Sequence, residues 1–209
     1  QLRHGFLPAQ PIQTIYFGGG TPSLLTEKQL HAILETIYQL YPVNADVEIT
    51  LEGNPDDLTN TYIDILKRSG VNRLSIGIQT LDPAMLAFLN RAHTAQQAEQ
   101  CIKYAQDSGI TDISVDLIYA LPAENHQRLE RDIQLLAQFQ TPHLSAYCLT
   151  IEPQTVFGKW VKQKKLLPQE DSFAAQQYEI TVAQLRQHGF EQYEISNFAR
   201  NSRYSKHNT

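Results

Sequence analysis

The chain has 209 residues, of which 42% are hydrophobic and 19% charged, so it has enough apolar material for one folded domain with or without an appendage. Its net charge of -5 argues against a nucleic-acid binder, and no segment approaches the roughly 20 apolar residues that span a bilayer. Two cysteines, Cys101 and Cys148, are too few for an iron–sulfur cluster and favour a reduced, cytoplasmic protein.

Short β-branched segments alternate with segments of helical period along most of the chain. The predicted strands span residues 12–17, 47–51, 74–78, 113–119 and 144–149. Capping residues mark three predicted helix starts, at Thr26, Asp82 and Thr94, and glycines mark three predicted ends, at Gly70, Gly109 and Gly189. Because successive strands lie roughly 30 residues apart, the length of a βαβ unit, the pattern predicts a parallel sheet with helices outside.

The pattern changes after residue 155. A lysine-rich stretch precedes a predicted helix that begins near Asp171, and residues 190–198 are predicted to form one strand. We therefore predict a partial barrel over residues 1–155 and the start of a C-terminal α/β region over residues 156–209. The lysines are Lys159, Lys162, Lys164 and Lys165. They could meet ligand carboxylates or a membrane surface, although a solvated face is the simpler interpretation.

The central predicted strands each have one apolar face and one polar face. The polar faces hold Glu48, Thr50 and Glu52 on the second strand, Arg73, Ser75, Gly77 and Gln79 on the third, and Asp112, Ser114 and Asp116 on the fourth. A parallel strand that helices cover on both sides should be apolar on both faces. Burying these groups unpaired would cost a few kcal/mol each. We therefore predict an open or partial barrel with a polar lumen rather than a doubly wound sheet.

Three of these polar residues stand at carboxyl ends of strands, where barrel active sites are built. They are Glu52, Gln79 and Asp116. The first strand is followed by residues 18–22, Gly-Gly-Gly-Thr-Pro, whose glycines permit positive φ and close approach of a ligand to backbone N–H groups. This loop lacks the lysine of a nucleotide P-loop and the spacing of the dinucleotide fingerprint. Together these features predict a site for the polar part of a ligand.

Seven blocks of sequence carry a more specific signal, and they cover nearly the whole chain in unbroken order. They are residues 15–23 (IYFGGGTPS), 52–55 (EGNP), 74–79 (LSIGIQ), 90–94 (NRAHT), 116–122 (DLIYALP), 149–153 (LTIEP) and 193–199 (YEISNFA). The first three resemble the radical S-adenosylmethionine superfamily. The other four narrow the resemblance to the branch that contains oxygen-independent coproporphyrinogen III oxidases and, within it, to HemW-type heme chaperones.

This resemblance implies an S-adenosylmethionine site, but it assigns no catalytic residue and no metal ligand. Gly19, Gly20 and Thr21 would meet the methionine moiety, and Glu52, Gln79, Arg91 and Asp116 would hold the amino acid and ribose parts. Thr150 matches a backbone contact to the adenosine portion, where an oxidase more often has alanine. Carboxylates suit an ammonium and ribose hydroxyls, and Arg91 suits a carboxylate. An ion pair with a neighbouring acid is the alternative for Arg91.

The superfamily's cluster motif, Cys-x3-Cys-x2-Cys, does not occur in this sequence. Its place would be N-terminal to Gln1, so the resemblance implies a chain that begins after the cluster-bearing first strand of the barrel. We therefore expect no [4Fe–4S] cluster and no radical chemistry from this chain by itself. Cys101 and Cys148 are predicted to be core residues rather than ligands.

The last residues match the start of a His-Asn motif of HemW-like chains. The resemblance makes His207 the candidate contact for a heme iron or a porphyrin, with a surface histidine near a frayed end as the alternative. His93 and His143 are weaker candidates for this contact.

The function that the resemblance implies is heme binding and transfer to an acceptor protein. The alternatives are a coproporphyrinogen III oxidase, which carries out radical decarboxylation in porphyrin biosynthesis, and an unrelated barrel enzyme that uses Glu52 and Asp116 as acid and base. Whether the protein is an enzyme stays open.

Overall fold

A computed structural model describes residues 10–209, and their strands form a single sheet that curls into a half-barrel. The strands are β1 Ile12–Phe17, β2 Val43–Gly53, β3 Arg73–Gln79, β4 Asp112–Tyr119, β5 His143–Cys148, β6 Glu191–Glu194 and β7 Asn197–Ala199. Strands β1 to β5 are parallel neighbours in chain order, and β7 joins the antiparallel hairpin β6–β7 to β5. The predicted α/β partial barrel is confirmed.

Residues 10–209 contain seven α-helices, and the predicted helix starts and ends agree with their limits. The helices are α1 Glu27–Leu40, α2 Asn60–Arg68, α3 Pro83–Phe88, α4 Ala95–Asp107, α5 Gln127–Gln138, α6 Val156–Lys162 and α7 Asp171–Gln187. Thr26 and Thr94 form complete capping boxes, and Asp82 caps α3. Gly70, Gly109 and Gly189 have φ values of +94°, +88° and +81°, as helix ends require. Within residues 10–209, none of the helices has the length and apolar character needed to cross a bilayer.

The apolar strand faces and the helices form one core on the convex side of the sheet. Leu74, Ile76 and Ile78 of β3 are fully buried in this core. They share it with helix residues such as Leu30 and Ile102. Burying a leucine or isoleucine side chain contributes about 1.5–3 kcal/mol, so the apolar face of each strand determines the side on which the helices pack. The polar residues of the same strands consequently face the lumen.

The prediction of one strand over residues 190–198 is wrong, because this segment forms the hairpin β6–β7. The turn between the two strands is held by Glu194, whose Oε2 accepts hydrogen bonds from Ser196 N at 2.9 Å and Asn197 Nδ2 at 2.6 Å. A carboxylate that caps the backbone two residues later favours a turn over a continued strand. The boundary after residue 155 remains a prediction, and β6 and β7 belong to the same sheet as the earlier strands.

The two cysteines differ in burial. Cys101 lies buried in α4, as predicted, and burial raises the pKa of its thiol to about 12. The prediction that Cys148 is a core residue is wrong, because it is exposed. It is the last residue of β5, and the final two residues of that strand extend beyond the buried part of the sheet.

Candidate functional site

A cavity of about 290 Å³ opens at the carboxyl ends of the parallel strands. Five of the predicted site residues line it: Gly20, Thr21, Glu52, Gln79 and Asp116. We call this cavity and its lining the rim site. The loop after β1 and the side chains from β2, β3 and β4 meet there because parallel strands end at the same edge of a curled sheet.

The glycine loop presents open backbone to the rim site. Gly19 and Gly20 have φ values of +72° and +61°, the left-handed region that glycine adopts without a steric cost. A Cβ built on either residue would meet no atom within 4 Å, so a ligand can approach the backbone there. The N–H of Gly19 donates to Glu52 Oε2 at 3.2 Å, which ties the loop to β2.

Asp116 is a rim carboxyl whose ionisation the fold changes strongly. Burial raises the pKa of its carboxyl to about 7, and the nearby Glu52 carboxylate adds to this shift. Hydrogen bonds from Ser145 and Ser75 and the charge of Arg91 act in the opposite direction. The Ser75 hydroxyl donates to Asp116 Oδ1 at 3.3 Å. A cation bound nearby would favour the ionised form of this carboxyl.

Arg91 is positioned by polar contacts and by a glycine. Its Nη2 donates to Asn54 Oδ1 at 2.6 Å and to the carbonyl oxygen of Gly77 at 2.7 Å. A Cβ on Gly77 would lie 3.0 Å from Nη2 and 2.9 Å from Gln79 Nε2, so glycine leaves the space that these side chains occupy. Among residues 10–209 no acid forms an ion pair with Arg91, and its Nε and Nη1 have no hydrogen-bond partner. These donors are available to a ligand carboxylate.

A second cavity of about 670 Å³ adjoins the rim site and shares Gln79 with it. Arg91 and Thr150 lie on its wall together with three aromatic side chains, Phe88, Phe157 and Trp160. The rings of Phe88 and Phe157 stack with centroids 4.8 Å apart and planes 7° from parallel. We call it the aromatic cavity. Its rings come from α3 and α6, which are distant in sequence, and no motif had marked them.

His207 lies apart from both cavities. Its ring stacks on Tyr16 with centroids 4.1 Å apart and an interplanar angle of 20°. Its backbone N–H donates to Glu48 Oε1 at 3.3 Å. The side chain is exposed, so the structure brings eight of the nine predicted site residues to the rim site and its neighbouring cavity but not this one.

The amino-terminal end of the lumen is closed by a buried polar cluster, which we call the floor. His143 Nδ1 and the Ser114 hydroxyl are 2.7 Å apart, and His143 Nε2 lies 2.7 Å from the Tyr193 hydroxyl. Burial and the charge of Arg73 lower the pKa of His143 to about 3, so its imidazole is neutral. Arg73 is itself buried, and its Nη2 has no partner among the described residues.

The C-terminal segment, residues 203–207, covers the floor from outside. Arg203 Nε pairs with Asp112 Oδ1 at 2.7 Å, and Lys206 Nζ pairs with Asp46 Oδ2 at 3.0 Å. The backbone N–H of Lys206 also donates to Glu48 at 3.1 Å. The acids at the amino ends of β2 and β4 are therefore engaged by the chain itself, whereas those at the carboxyl ends line a cavity.

Sequence reasoning missed three polar residues of the rim. Tyr16 donates from its hydroxyl to Glu52 Oε1 at 2.7 Å, and burial followed by the Glu52 carboxylate raises the pKa of this phenol, so it remains a donor. Asn54 holds Arg91, and Tyr147 lines the cavity. The alternation of His143, Ser145 and Tyr147 along β5 could have identified Tyr147, because the first two face the lumen at the floor and beside Asp116.

Comparison with known proteins identifies the family. A model of the Radical SAM superfamily matches residues 4–136, which is more than half of the chain. This chain belongs to the radical SAM superfamily. Its fold agrees with a solved structure of the coproporphyrinogen III oxidase HemN from Escherichia coli, a radical SAM enzyme. The TM-score is 0.82 at 24% identity, and the match covers 96% of this chain and 46% of that one.

Curated relatives of this radical SAM chain include heme chaperones. The heme chaperone HemW of Bacillus subtilis is 38% identical over 199 residues, which cover 94% of this chain and 52% of the relative. A mitochondrial radical S-adenosyl methionine domain-containing protein 1 of Bos taurus is 40% identical over 197 residues, covering 94% and 45%. This chain spans about half the length of these relatives.

The superfamily implies S-adenosylmethionine and a [4Fe–4S] cluster, and the two groups fit this chain differently. The rim site has carboxylates and an open glycine backbone, and Arg91, on the wall of the adjoining aromatic cavity, has guanidinium nitrogens with no partner among residues 10–209. Together these groups suit a ligand that carries an ammonium, a carboxylate and a sulfonium. Residues 10–209 contain no group of three His, Cys, Asp or Glu side chains that could hold a metal ion. Cys101 is buried in a helix and Cys148 ends a strand, so these cysteines do not form a cluster site.

Proposed function

We propose that this radical SAM chain is the barrel part of a heme chaperone that binds S-adenosylmethionine at the rim site. The observation that carries the proposal is the similarity to HemW proteins, which extends over 94% of the chain in the Bacillus relative. The chemistry of the rim residues supports the ligand. When bound, S-adenosylmethionine supplies a sulfonium centre, and this chain's residues bind and orient its polar groups.

At the rim and on the adjoining wall, each polar part of the ligand has a protein group of opposite charge or complementary hydrogen-bonding character. Glu52 and Asp116 would accept hydrogen bonds from the ammonium and the ribose hydroxyls, and the free nitrogens of Arg91 would hold the carboxylate. Gly19, Gly20 and Thr21 would border the methionine moiety. Gln79 and Thr150 lie along the wall that continues into the aromatic cavity, where the adenosine would be placed.

Heme is the proposed cargo, and His207 is its proposed contact. The imidazole of His207 is exposed, and its ring nitrogens have no hydrogen-bond partner among residues 10–209. An accessible imidazole is a common axial ligand of heme iron. The four lysines around α6 are exposed and make no ion pair with the described residues, so their contact with propionates or a membrane remains a prediction.

Heme uptake by the full chain tests this function. We expect a Soret band on addition of heme, a several-fold weaker band in His207→Ala, and transfer of heme to an apoprotein such as apomyoglobin. His31→Ala is the matched control, because His31 is an exposed histidine of α1 and should leave uptake unchanged.

Two outcomes would contradict the proposal. Absence of heme uptake by the unsubstituted protein would exclude the chaperone, and equal uptake by His207→Ala would exclude His207 as the contact. Conversion of coproporphyrinogen III to protoporphyrinogen, with consumption of S-adenosylmethionine, would instead support the oxidase alternative.

A further inference from the structure

Tyr16 contacts both places to which the proposed function assigns a ligand. Its hydroxyl donates to Glu52 Oε1 at 2.7 Å, and Glu52 lines the rim site. Its ring stacks on the imidazole of His207 at 4.1 Å. Tyr16 stands on the lumen side of β1, next to β2, so one side chain bridges the rim and the C-terminal segment.

The space around the Tyr16–Glu52 pair is filled. A Cβ on Gly18 would lie 2.6 Å from the Tyr16 ring, closer than real Cβ atoms approach their neighbours, and 3.0 Å from Glu52 Oε1, tighter than most such contacts. The second oxygen of Glu52 accepts from Gly19 N–H. The carboxylate is therefore held by one donor on each oxygen, and the Tyr16 hydroxyl is the side-chain donor.

His207 depends on Tyr16 for the direction of its ring. The backbone N–H groups of Lys206 and His207 donate to Glu48 at 3.1 Å and 3.3 Å, which fixes the main chain. Among residues 10–209 the imidazole itself has no hydrogen-bond partner, and its aromatic contact is the stack on Tyr16. Stacking on an aromatic ring favours one ring orientation over the others.

We propose that Tyr16 is a positioning residue shared by the two sites: its hydroxyl aims Glu52 at S-adenosylmethionine, and its ring holds His207 for heme. The identity of both ligands rests on the proposed function. One consequence is that a single side chain affects two binding events. A second consequence is that removing the hydroxyl alone separates them, because phenylalanine retains the ring.

The test compares two substitutions of Tyr16 in the full chain. Tyr16→Phe should bind S-adenosylmethionine about tenfold more weakly, because a hydrogen bond to a charged group is lost, and should take up heme as the unsubstituted protein does. Tyr16→Leu should show the same loss for S-adenosylmethionine and about fivefold weaker heme uptake, because the ring is also lost. Calorimetry measures the first affinity and the Soret band the second.

Tyr104→Phe is the matched control. It removes a phenol–carboxylate hydrogen bond of 3.1 Å, to Asp64, that lies between α4 and α2 on the outside of the barrel. Both affinities should stay unchanged in this variant. Nuclear magnetic resonance adds a readout without either ligand. The His207 ring resonances should move in Tyr16→Leu and stay in Tyr16→Phe, whereas the Glu52 side-chain resonances should move in both.

The results separate this inference from the proposed function. An unsubstituted protein that binds neither ligand contradicts the function, and the resonances of His207 and Glu52 then still decide whether Tyr16 positions them. If Tyr16→Phe binds S-adenosylmethionine as tightly as the unsubstituted protein, the role of the hydroxyl is refuted. If Tyr16→Leu takes up heme as well as Tyr16→Phe, the role of the ring is refuted.

Discussion

The rim and the floor of one lumen use the same kinds of residue in opposite ways. At the floor, His143 is paired through both ring nitrogens, and Asp112 is paired with Arg203. At the rim, Asp116 and Arg91 keep hydrogen-bonding capacity that no described residue fills. The alternation of polar and apolar residues along a strand thus locates the lumen, but the cavity at the carboxyl ends of the strands shows which end can take a ligand.

The largest expected effect is a loss of folding stability on substitution at the floor, with little change in ligand binding at the rim. His143→Ala leaves a buried void and removes the partner of Ser114 and Tyr193, so we expect a loss of about 3 kcal/mol in the free energy of unfolding. Binding of S-adenosylmethionine at the rim should change less than twofold. Denaturant unfolding and calorimetry measure the two quantities. The exposed His31→Ala is the control, and equal destabilisation by both substitutions would show that the floor is not a structural cluster.

An intermediate effect concerns ionisation at the rim. Because the pKa of Asp116 is raised to about 7, the carboxyl binds a proton in the free protein at pH 6 that a cationic ligand must displace. The affinity for S-adenosylmethionine should therefore rise about tenfold between pH 6 and pH 7.5, since one pKa unit corresponds to a tenfold change. The free energy of unfolding should change in the opposite direction. Ionising the buried carboxyl of Asp116 costs free energy in the folded state, so the stability that the protonated carboxyl contributes is lost as pH rises from about 4 through 7.

Asp116→Asn is the control for that pH dependence. The variant keeps the titration of the ligand's own amino group and loses that of the carboxyl, so its affinity should be weaker and nearly flat over the same interval. Its unfolding free energy at pH 8 should not fall. An unchanged pH profile in this variant would assign the titration to another group.

The smallest effect concerns the C-terminal segment that covers the floor. Arg203 and Asp112 are both partly exposed, so Arg203→Ala should cost only about 0.5 kcal/mol of unfolding free energy, and added salt should reduce this difference. Lys103→Ala removes an exposed charge from α4 and should cost nothing measurable. A loss above about 2 kcal/mol would mean that the segment contributes much more to the fold than an exposed ion pair does.

The five parallel strands, several helix limits and the apolar strand faces were predictable because their signals are local. Thr26 and Thr94 bind backbone N–H groups three residues away, and the alternation along β3 needs no knowledge of other strands. The hairpin at Glu194 was missed because its residues also fit a strand, and only the carboxylate contacts turn the chain.

The distinction between rim and floor was not predictable from the sequence. Glu48 and Glu52 lie on the same face of β2, four residues apart, with equal chemistry. They differ because Lys206 and His207, more than 150 residues later, reach Glu48. In the same way, the rings of Phe88 and Phe157 meet only after the sheet has brought α3 and α6 together. Contacts of this kind carry no local pattern.

The wall of the aromatic cavity includes Trp160, which is the single tryptophan of the chain. Indole fluorescence from this protein therefore originates at one known position, beside the rings of Phe88 and Phe157 and adjacent to the rim. The wavelength and intensity of the Trp160 emission will respond to water entering or leaving that cavity. Occupancy of the neighbouring site can consequently be followed in solution without attaching a dye.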